Sequence, residues 1–405
     1  MTTYGRSPWI QNFPKARVPV YPKHRGADAA DVVIIGGGLT GCATAFALAA
    51  AGVKVTLLEA AQIGQGSSGA SSGWVNQDPG VGYADLERAI GGRGAKRAFQ
   101  AWRRASLDFA SLLRRLDVKC FIEAHPAITI AAAPDQAARL EREQKARRAA
   151  GIDTPLLNAR AIAAEVGLQA PAGLRAKDSA TLDPYRACLG LAVSAAQRGV
   201  RLFERTPVTR VTFDRKSADV LTASGRIHTN RVIVATGMPT ALYRSLARHF
   251  WFRTTYFAQT EPVPAKIRQL MGTRDAILRD SAAPPHLVRW VGGDRMIVSG
   301  ADADAPPSRL RDKVIVQRTG QLMYELSTLY PDISGVQPAF GWAADYARTT
   351  DGLPAIGPHR NFPHHLFAFG DASPSITGAY LASRVLLRHH FEEMDPADEE
   401  FGFHR

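Results

Sequence analysis

The sequence predicts an α/β chain in which a parallel sheet is combined with a second, mainly antiparallel part that carries helices. An apolar run at residues 31–35 is followed by a glycine-rich turn, an Ala-rich helix and a second apolar run that ends at Glu59, which is the pattern of a β-α-β unit. From about residue 238 to residue 344, short strand-like segments surround one helix, as in an antiparallel sheet with helices. The 405 residues suit about two domains.

Composition and charge narrow the class of protein. Apolar residues make up 45% of the chain and charged residues 21%, which excludes wholesale disorder. The net charge of +13 comes largely from arginines dispersed through helical segments, so a solvated basic surface that steers anionic small ligands is favoured over nucleic-acid binding. No apolar stretch approaches the roughly 18–20 residues that span a bilayer.

The termini and the cysteines carry few functional signals. Residues 1–27 contain four prolines and no apolar core of a signal peptide, so we expect an extended surface arm and a cytoplasmic protein. The three cysteines form no CxxC pair, which predicts neither a zinc site nor a disulfide framework. The C-terminal tail, residues 392–405, is acidic and then aromatic, and it packs either on the chain itself or on a partner.

The turn at residues 36–41 has the spacing Gly-x-Gly-x-x-Gly between a strand and a helix. Gly36 permits the tight turn, Gly38 lets the backbone approach a pyrophosphate, and Gly41 lets the helix pack closely on the strand. Glu59, 18 residues after Gly41, can accept hydrogen bonds from both ribose hydroxyls and disfavours a 2′-phosphate. The arrangement predicts a Rossmann-like dinucleotide site for FAD or NAD rather than NADP.

The segment at residues 231–237, Arg-Val-Ile-Val-Ala-Thr-Gly, resembles the strand-plus-ATG segment of flavoproteins of the glutathione-reductase-like superfamily and favours FAD. Further landmarks follow along the chain: the small-residue loop at 64–73, and the segments at 178–184, 206–208, 350–357 and 371–378. With the glycine turn and Glu59, they make nearly all of residues 30–391 resemble the D-amino-acid-oxidase (DAO) family of FAD-dependent oxidoreductases, which includes sarcosine oxidase, glycine oxidase and D-amino-acid dehydrogenase.

The resemblance implies a discontinuous FAD-binding domain of residues 28–90, 152–238 and 345–391, and a substrate-binding domain of residues 91–151 and 239–344. FAD is expected to be non-covalent, since no cysteine lies near Tyr346. The loop and the start of the last helix would flank the isoalloxazine, where a helix N-terminus stabilises the negative charge of the reduced ring. The expected cofactor contacts are Gly36, Gly38, Leu39, Thr40, Gly41, Glu59, Ala60, Gly66, Ser67, Ser68, Ser71, Ser72, Val208, Ala235, Thr236, Gly237, Asp371, Ser375, Ile376 and Thr377.

The family reaction implied by this resemblance moves a hydride from the carbon next to an amine nitrogen to flavin N5, and the imine is then hydrolysed. The sequence contains no GxSxG, reactive-cysteine or HExxH motif, so we expect neither a protein nucleophile nor a metal. The electron acceptor is either oxygen or a quinone or other carrier, because no lysine matches the oxygen-activating lysine of the family's oxidases. A flavin-dependent dehydrogenase or monooxygenase acting on a non-amine substrate is the alternative.

Five residues are candidate catalytic or substrate contacts: Tyr256, Arg289, Trp342, Tyr346 and Arg348. Tyr256 lies on a strand that often faces the ring in the family, and Trp342 matches an aromatic before the Asp-Gly-Leu-Pro motif; sheet packing is the alternative for both. Family members that act on amino acids often have an arginine at the position of Tyr346. A carboxylate anchor, normally a bidentate arginine, is therefore left open among Arg348, Arg289 and no anchor at all.

Overall fold

The computed structural model describes residues 1–371 and 376–405. The strands in this part of the chain are β1 (Thr3–Tyr4), β2 (Gly26–Ile35), β3 (Val55–Leu58), β4 (Trp74–Val75), β5 (Glu123–Ala124), β6 (Ala127–Ile130), β7 (Leu156–Leu157), β8 (Gly173–Ala176), β9 (Ala180–Thr181), β10 (Arg201–Phe203), β11 (Val208–Phe213), β12 (Ala218–Thr222), β13 (Gly225–Gly237), β14 (Trp251–Thr260), β15 (Ile277–Asp280), β16 (Leu287–Val291), β17 (Arg295–Asp304), β18 (Pro338–Arg348), β19 (Ala355–His359) and β20 (Phe362–Phe369).

The α-helices of the described residues cover both sheets. They are α1 (Pro8–Gln11), α2 (Leu39–Ala50), α3 (Ser67–Ala70), α4 (Tyr83–Arg115), α5 (Pro134–Ala149), α6 (Ala159–Val166), α7 (Pro184–Ala196), α8 (Ala265–Arg268), α9 (Arg311–Leu329) and α10 (Ile376–Phe391). Short 3-10 helices lie at Lys15–Arg17, Ala241–His249, Ser308–Leu310, Pro331–Ile333 and Asp398–Phe401. Helix α4 consists of two helices that join across a non-helical Gly91 with φ of 77°.

One sheet has parallel strands at its centre. Strand β2 pairs in parallel with β3 and β13, and β13 pairs in parallel with β20. The carboxyl ends of these four strands therefore lie at one edge of the sheet, where ligands bind in open α/β folds. Helix α2 follows β2 directly and is buried along most of its length, because α7 and α10 pack against it.

The second sheet has nine strands in the order β1-β18-β14-β17-β16-β15-β6-β8-β7. Its pairs are antiparallel except for β1 with β18 and β15 with β6. Helix α9 covers one face, where its buried side chains join those of Tyr256 and Ala258 in one apolar cluster. On the opposite face, Phe257 and Trp342 belong to the apolar cluster that also contains Ile34 and Leu39 of the parallel-sheet part. The predicted combination of a parallel sheet with a mainly antiparallel one is confirmed.

Strand pairing departs from the expected division at two places. Strands β7 and β8 join the nine-stranded sheet, although residues 152–238 were expected in the FAD-binding part. Strand β18 runs to Arg348, past the expected boundary at 345. Short strands have no sequence signal that specifies which sheet they join, and we propose that the boundary in this region lies after Ala176.

Both termini are docked on the chain. The expectation of an extended surface arm is wrong for residues 3–11, since Thr3 and Tyr4 pair with Phe340 and Gly341 and the Trp9 side chain is buried. In the C-terminal tail, Phe401 is fully buried. Of the two placements left open for the tail, the structure therefore has the one on the chain itself.

Candidate functional site

The glycine turn connects the end of β2 to the start of α2, and its three glycines have different surroundings. Gly36 has φ of 112°, and a Cβ there would lie 2.5 Å from the Ala235 carbonyl oxygen. A Cβ at Gly41 would clash with the Gly36 carbonyl oxygen. At Gly38 a Cβ would meet only the Ser68 hydroxyl, at 3.1 Å. The first and third glycines are thus required by packing, whereas the second faces open space where a ligand can approach.

The start of α2 presents backbone N–H groups toward the small-residue loop. The Leu39 amide donates to Ser68 Oγ over 2.9 Å, and the neighbouring Thr40 is half-buried. A hydroxyl oxygen therefore lies where the oxygen of a phosphate would accept from this helix end. The geometry fits the pyrophosphate of a dinucleotide.

The acidic residue at the end of β3 lies beside the turn. Its carboxylate accepts from the Gly37 amide and from the Ala61 amide, each over 2.7 Å. The Thr206 amide donates to the Glu59 carbonyl oxygen over 2.9 Å, which brings the start of β11 at Val208 next to the exposed Ala60. These expected contacts for the ribose and adenine end come together at one corner of the sheet.

The ends of β13 and β20 complete the edge of the parallel sheet. The Gly370 amide donates to the Gly237 carbonyl oxygen over 3.1 Å, and Thr236 Oγ1 donates to the Met238 carbonyl oxygen over 2.8 Å. At the start of α10, Ile376 is buried and Thr377 Oγ1 donates to the Asn76 carbonyl oxygen over 2.8 Å. Ser375, another expected contact, lies outside the described residues.

The loop at residues 64–73 packs against the nine-stranded sheet. Ser71 and Ser72 are buried, and Gly66 is exposed. Ser67 Oγ donates to the Asp345 carbonyl oxygen over 2.8 Å. Because the Asp371 amide donates to the Ala347 carbonyl oxygen over 2.8 Å, the end of β18 lies between this loop and the start of the last helix.

Tyr256 and Phe257 are adjacent in sequence but lie on opposite faces of the nine-stranded sheet. Trp342 stacks on Phe257 and donates from Nε1 to the Ala70 carbonyl oxygen over 2.8 Å, so both rings lie on the face toward the loop. Tyr256 lies on the other face, against α9. The expectation that Tyr256 faces the cofactor is therefore wrong, because side chains alternate along a strand and Phe257 takes that direction.

Tyr346 and Arg348 lie on the same face of β18 as Trp342, because every second side chain of a strand points to the same face and all three residue numbers are even. Tyr346 is buried, and its hydroxyl donates to Asp302 Oδ2 over 2.6 Å. Burial raises the pKa of Tyr346, and the neighbouring Asp302 carboxylate raises it further. Tyr346 therefore keeps its proton at neutral pH, and Arg348 is exposed beside it.

Arg289 has partners other than the carboxylate that the sequence suggested. Its Nε donates to the Ser72 carbonyl oxygen over 2.6 Å and its Nη2 to the Leu182 carbonyl oxygen over 3.3 Å. The side chain is buried, and this burial lowers its pKa to about 10. Arg289 stays charged at neutral pH and is committed to backbone acceptors.

Arg279 is a residue of this region that sequence reasoning missed. It lies on β15, where it pairs with Leu287, and its Nη2 donates to the Gly80 carbonyl oxygen over 2.7 Å. Burial lowers the pKa of Arg279, and among the nearby charges Arg348 lowers it further. The available signal was an arginine that directly follows the apolar pair Ile277 and Leu278 in this short strand.

Two other kinds of site have no support in the described residues. Residues 1–371 and 376–405 contain no group of three or more histidine, cysteine, aspartate or glutamate side chains arranged to hold a metal ion. Within the same ranges, every helix is too short or too polar to cross a membrane.

Comparison with known proteins agrees with this geometry. A family model described as FAD-dependent oxidoreductase (DAO) matches residues 31–388. A probable oxidoreductase, OrdL, of Haemophilus influenzae is 24% identical over 222 residues, which are 53% of this chain and 49% of that protein. The gamma-glutamylputrescine oxidoreductase of Escherichia coli is 24% identical over 373 residues, which are 90% of this chain and 85% of that protein.

A solved structure is similar over nearly the whole chain. Glycine oxidase from Geobacillus kaustophilus has a TM-score of 0.76 and 18% identity, covering 91% of this chain and 96% of that one. At this identity the likeness shows the fold alone. The chain spans about half the length of the Haemophilus relative that it matches.

Proposed function

This chain belongs to the DAO family of FAD-dependent oxidoreductases, and from that premise we propose that it oxidises a C–N bond of an amine or amino acid that carries a carboxylate. The observation that carries the proposal is the position of the end of β18. Its backbone carbonyls accept hydrogen bonds from Ser67 of the loop and from Asp371 before the last helix. Tyr346 and Arg348 therefore project where those two segments meet.

The residues at the carboxyl edge of the parallel sheet fit FAD. The space at Gly38, the amides at the start of α2 and the Glu59 carboxylate suit the pyrophosphate and ribose of a dinucleotide. When bound, FAD supplies the acceptor for the hydride that leaves the substrate. The protein then has to bind the substrate, orient its C–H bond and manage its charge.

Two positively charged side chains are available to bind the carboxylate of the substrate. In the described part of the chain, Arg348 has no ion-pair partner, and Arg279 adds a second, buried positive charge nearby. A carboxylate is the anion that a planar guanidinium binds in a bidentate way. We assign Arg348 as the anchor and Arg279 as support.

The amine nitrogen has a polar partner on the same face. The Tyr346 hydroxyl already donates to Asp302, so its oxygen is available to accept a hydrogen bond from a substrate N–H group. The Asp302 carboxylate adds negative charge that attracts an ammonium group. Together these residues would hold an amine at one end of the substrate and a carboxylate at the other.

Anaerobic reduction of the flavin, followed by its absorbance, tests the proposal. The panel contains D- and L-amino acids, N-methyl amino acids, amines without a carboxylate, and NADPH. We expect bleaching by amines that carry a carboxylate. Bleaching by carboxylate-free amines alone would refute the anchor, and reduction by NADPH without an amine would support the monooxygenase alternative. Reoxidation by oxygen or by a soluble quinone then identifies the acceptor class.

A further inference from the structure

We propose that the N-terminal arm, residues 1–13, is a working part of the FAD site: Ser7 and Trp9 position the small-residue loop so that its free amides face the cofactor. The proposal goes beyond the substrate assigned above and does not depend on it. It assigns positioning roles to two residues outside the matched family region, which begins at residue 31.

Four successive carbonyl groups of the loop each accept a hydrogen bond from a side chain. The donors come from three distant parts of the chain. The pairs are Ser7 Oγ to Gly69 at 2.5 Å, Trp342 Nε1 to Ala70 at 2.8 Å, Trp9 Nε1 to Ser71 at 3.1 Å and Arg289 Nε to Ser72 at 2.6 Å. The loop, which has little side-chain mass of its own, is thus held through its backbone.

The four donors are buried, which makes each hydrogen bond matter. Ser7 is 1% exposed and Trp9 is 8% exposed. A buried carbonyl that loses its donor cannot form a replacement hydrogen bond with water. The loop would therefore shift rather than leave that carbonyl unpaired. The Arg289 guanidinium also lies 5.2 Å from the centroid of the Trp9 ring, so two of the donors support each other.

The direction of the carbonyl groups sets the direction of the amides. In a trans peptide the C=O and the next N–H point to opposite sides. Since the Ser71 carbonyl points to Trp9 and the Ser72 carbonyl to Arg289, the amides of Ser72 and Gly73 point away from these donors. Within the described residues neither amide has a hydrogen-bond partner, so both are available to an acceptor on a bound flavin.

The arm is itself anchored next to one of the other donors. Strand β1 pairs in parallel with β18, and the Gly5 amide donates to the Gly341 carbonyl oxygen over 2.9 Å. Trp342 is the next residue of β18. The arm and Trp342 therefore reach the loop from two paired strands, β1 and β18, and this pairing fixes their spacing.

The test uses the full-length protein with Ser7→Ala, Trp9→Phe and both together. Trp9→Phe keeps an aromatic ring against Arg289 but removes the N–H donor, and Ser7→Thr keeps the hydroxyl. FAD is titrated into the apoprotein, and its dissociation constant and the flavin spectrum are recorded. We expect the affinity for FAD to fall roughly tenfold for each lost donor and the flavin spectrum to shift. Ser7→Thr should keep the wild-type affinity and spectrum.

Two control variants separate this role from general destabilisation. Trp290→Phe and Ser327→Ala make the same chemical changes away from the loop, and both are expected to keep wild-type FAD affinity. Thermal unfolding of each apoprotein is measured alongside. A double variant that binds FAD with unchanged affinity and spectrum would overturn the proposal, even if its apoprotein is less stable. If the double variant does not fold, the single Ser7→Ala variant decides by the same criterion.

Discussion

Phe257 and Trp342 stack in parallel on neighbouring strands, with ring centroids 5.0 Å apart and planes 5° from each other. This pair marks the face of the nine-stranded sheet that meets the loop. Tyr256, one residue before Phe257, is on the opposite face against α9, with an Oη that has no hydrogen-bond partner in the described residues.

We expect Tyr256→Phe to leave the KM and kcat for any reducing substrate unchanged. The substitution removes a buried hydroxyl that lacks a partner, so the free energy of unfolding should stay equal or rise by about 1 kcal/mol. Steady-state kinetics and urea unfolding measure both quantities. A loss of activity of tenfold or more would return Tyr256 to the substrate site.

Gly38→Val should fold and lose FAD. A Cβ at this position meets only the Ser68 hydroxyl, but it blocks the approach of a pyrophosphate to the backbone. The measurement is the flavin content of the purified protein, together with the circular dichroism of the apoprotein.

Gly320→Val, on α9 where a Cβ would meet nothing within 4 Å, is the matched control and should keep its FAD. Gly36→Val, in contrast, should disrupt folding, since its Cβ would meet the Ala235 backbone. Unchanged FAD content in Gly38→Val would show that the phosphate turn has been misassigned.

Arg348→Ala should raise the KM of a carboxylate-bearing substrate roughly 10- to 100-fold, the loss expected for a charge-assisted hydrogen bond. Arg348→Lys should recover part of it, and Tyr346→Phe should lower kcat/KM by removing the acceptor for the substrate N–H. Arg360→Ala, also exposed but in the turn between β19 and β20, serves as the control. If Arg348→Ala and Tyr346→Phe both keep the wild-type KM and kcat, neither Arg348 nor Tyr346 contacts the substrate.

The ion pair between Arg405 and Asp351 should make the docking of the tail depend on pH. Burial raises the pKa of Asp351, but the hydrogen bond and charge of Arg405 outweigh it and hold the pKa below the usual 3.8. A lowered folded-state pKa stabilises the protein above pH 3.8, and this contribution is lost as the pH falls through the folded value.

Arg405→Gln should therefore lower the free energy of unfolding by about 1–3 kcal/mol at pH 7, and the difference from wild type should shrink below pH 3.8. Urea unfolding at a series of pH values measures it. Arg253→Gln is the control, because Asp304, its partner, is 89% exposed and such pairs contribute about 0–1 kcal/mol. A difference that is constant with pH would contradict the assignment to this pair.

The sequence predicted best those features whose residues lie close together along the chain. The turn at 36–41 and Glu59 belong to one β-α-β unit, so spacing alone predicts their meeting. The partners of the loop were not predictable in the same way, since Trp9 and Ser71 lie 62 residues apart and Trp342 and Ala70 lie 272 apart. Nothing in the local composition of either partner indicates such a contact.

The direction of a side chain was a second limit. Tyr256 and Phe257 are both aromatic and both buried, and only the register of β14 against β18 decides which of them faces the loop. Arg289 was predicted as a candidate carboxylate anchor, but its backbone acceptors at Ser72 and Leu182 come from segments distant in sequence.

The parallel pairing of β1 with β18 joins the beginning of the chain to a strand made some 336 residues later. At a synthesis rate of roughly 5–20 residues per second, β18 is synthesised roughly 17–70 s after the arm. The loop carbonyls that accept hydrogen bonds from Ser7, Trp9 and Trp342 can all be paired only after that time. We therefore expect capture of FAD to be a late event in biogenesis, completed only after β18 has been synthesised rather than on a nascent N-terminal domain.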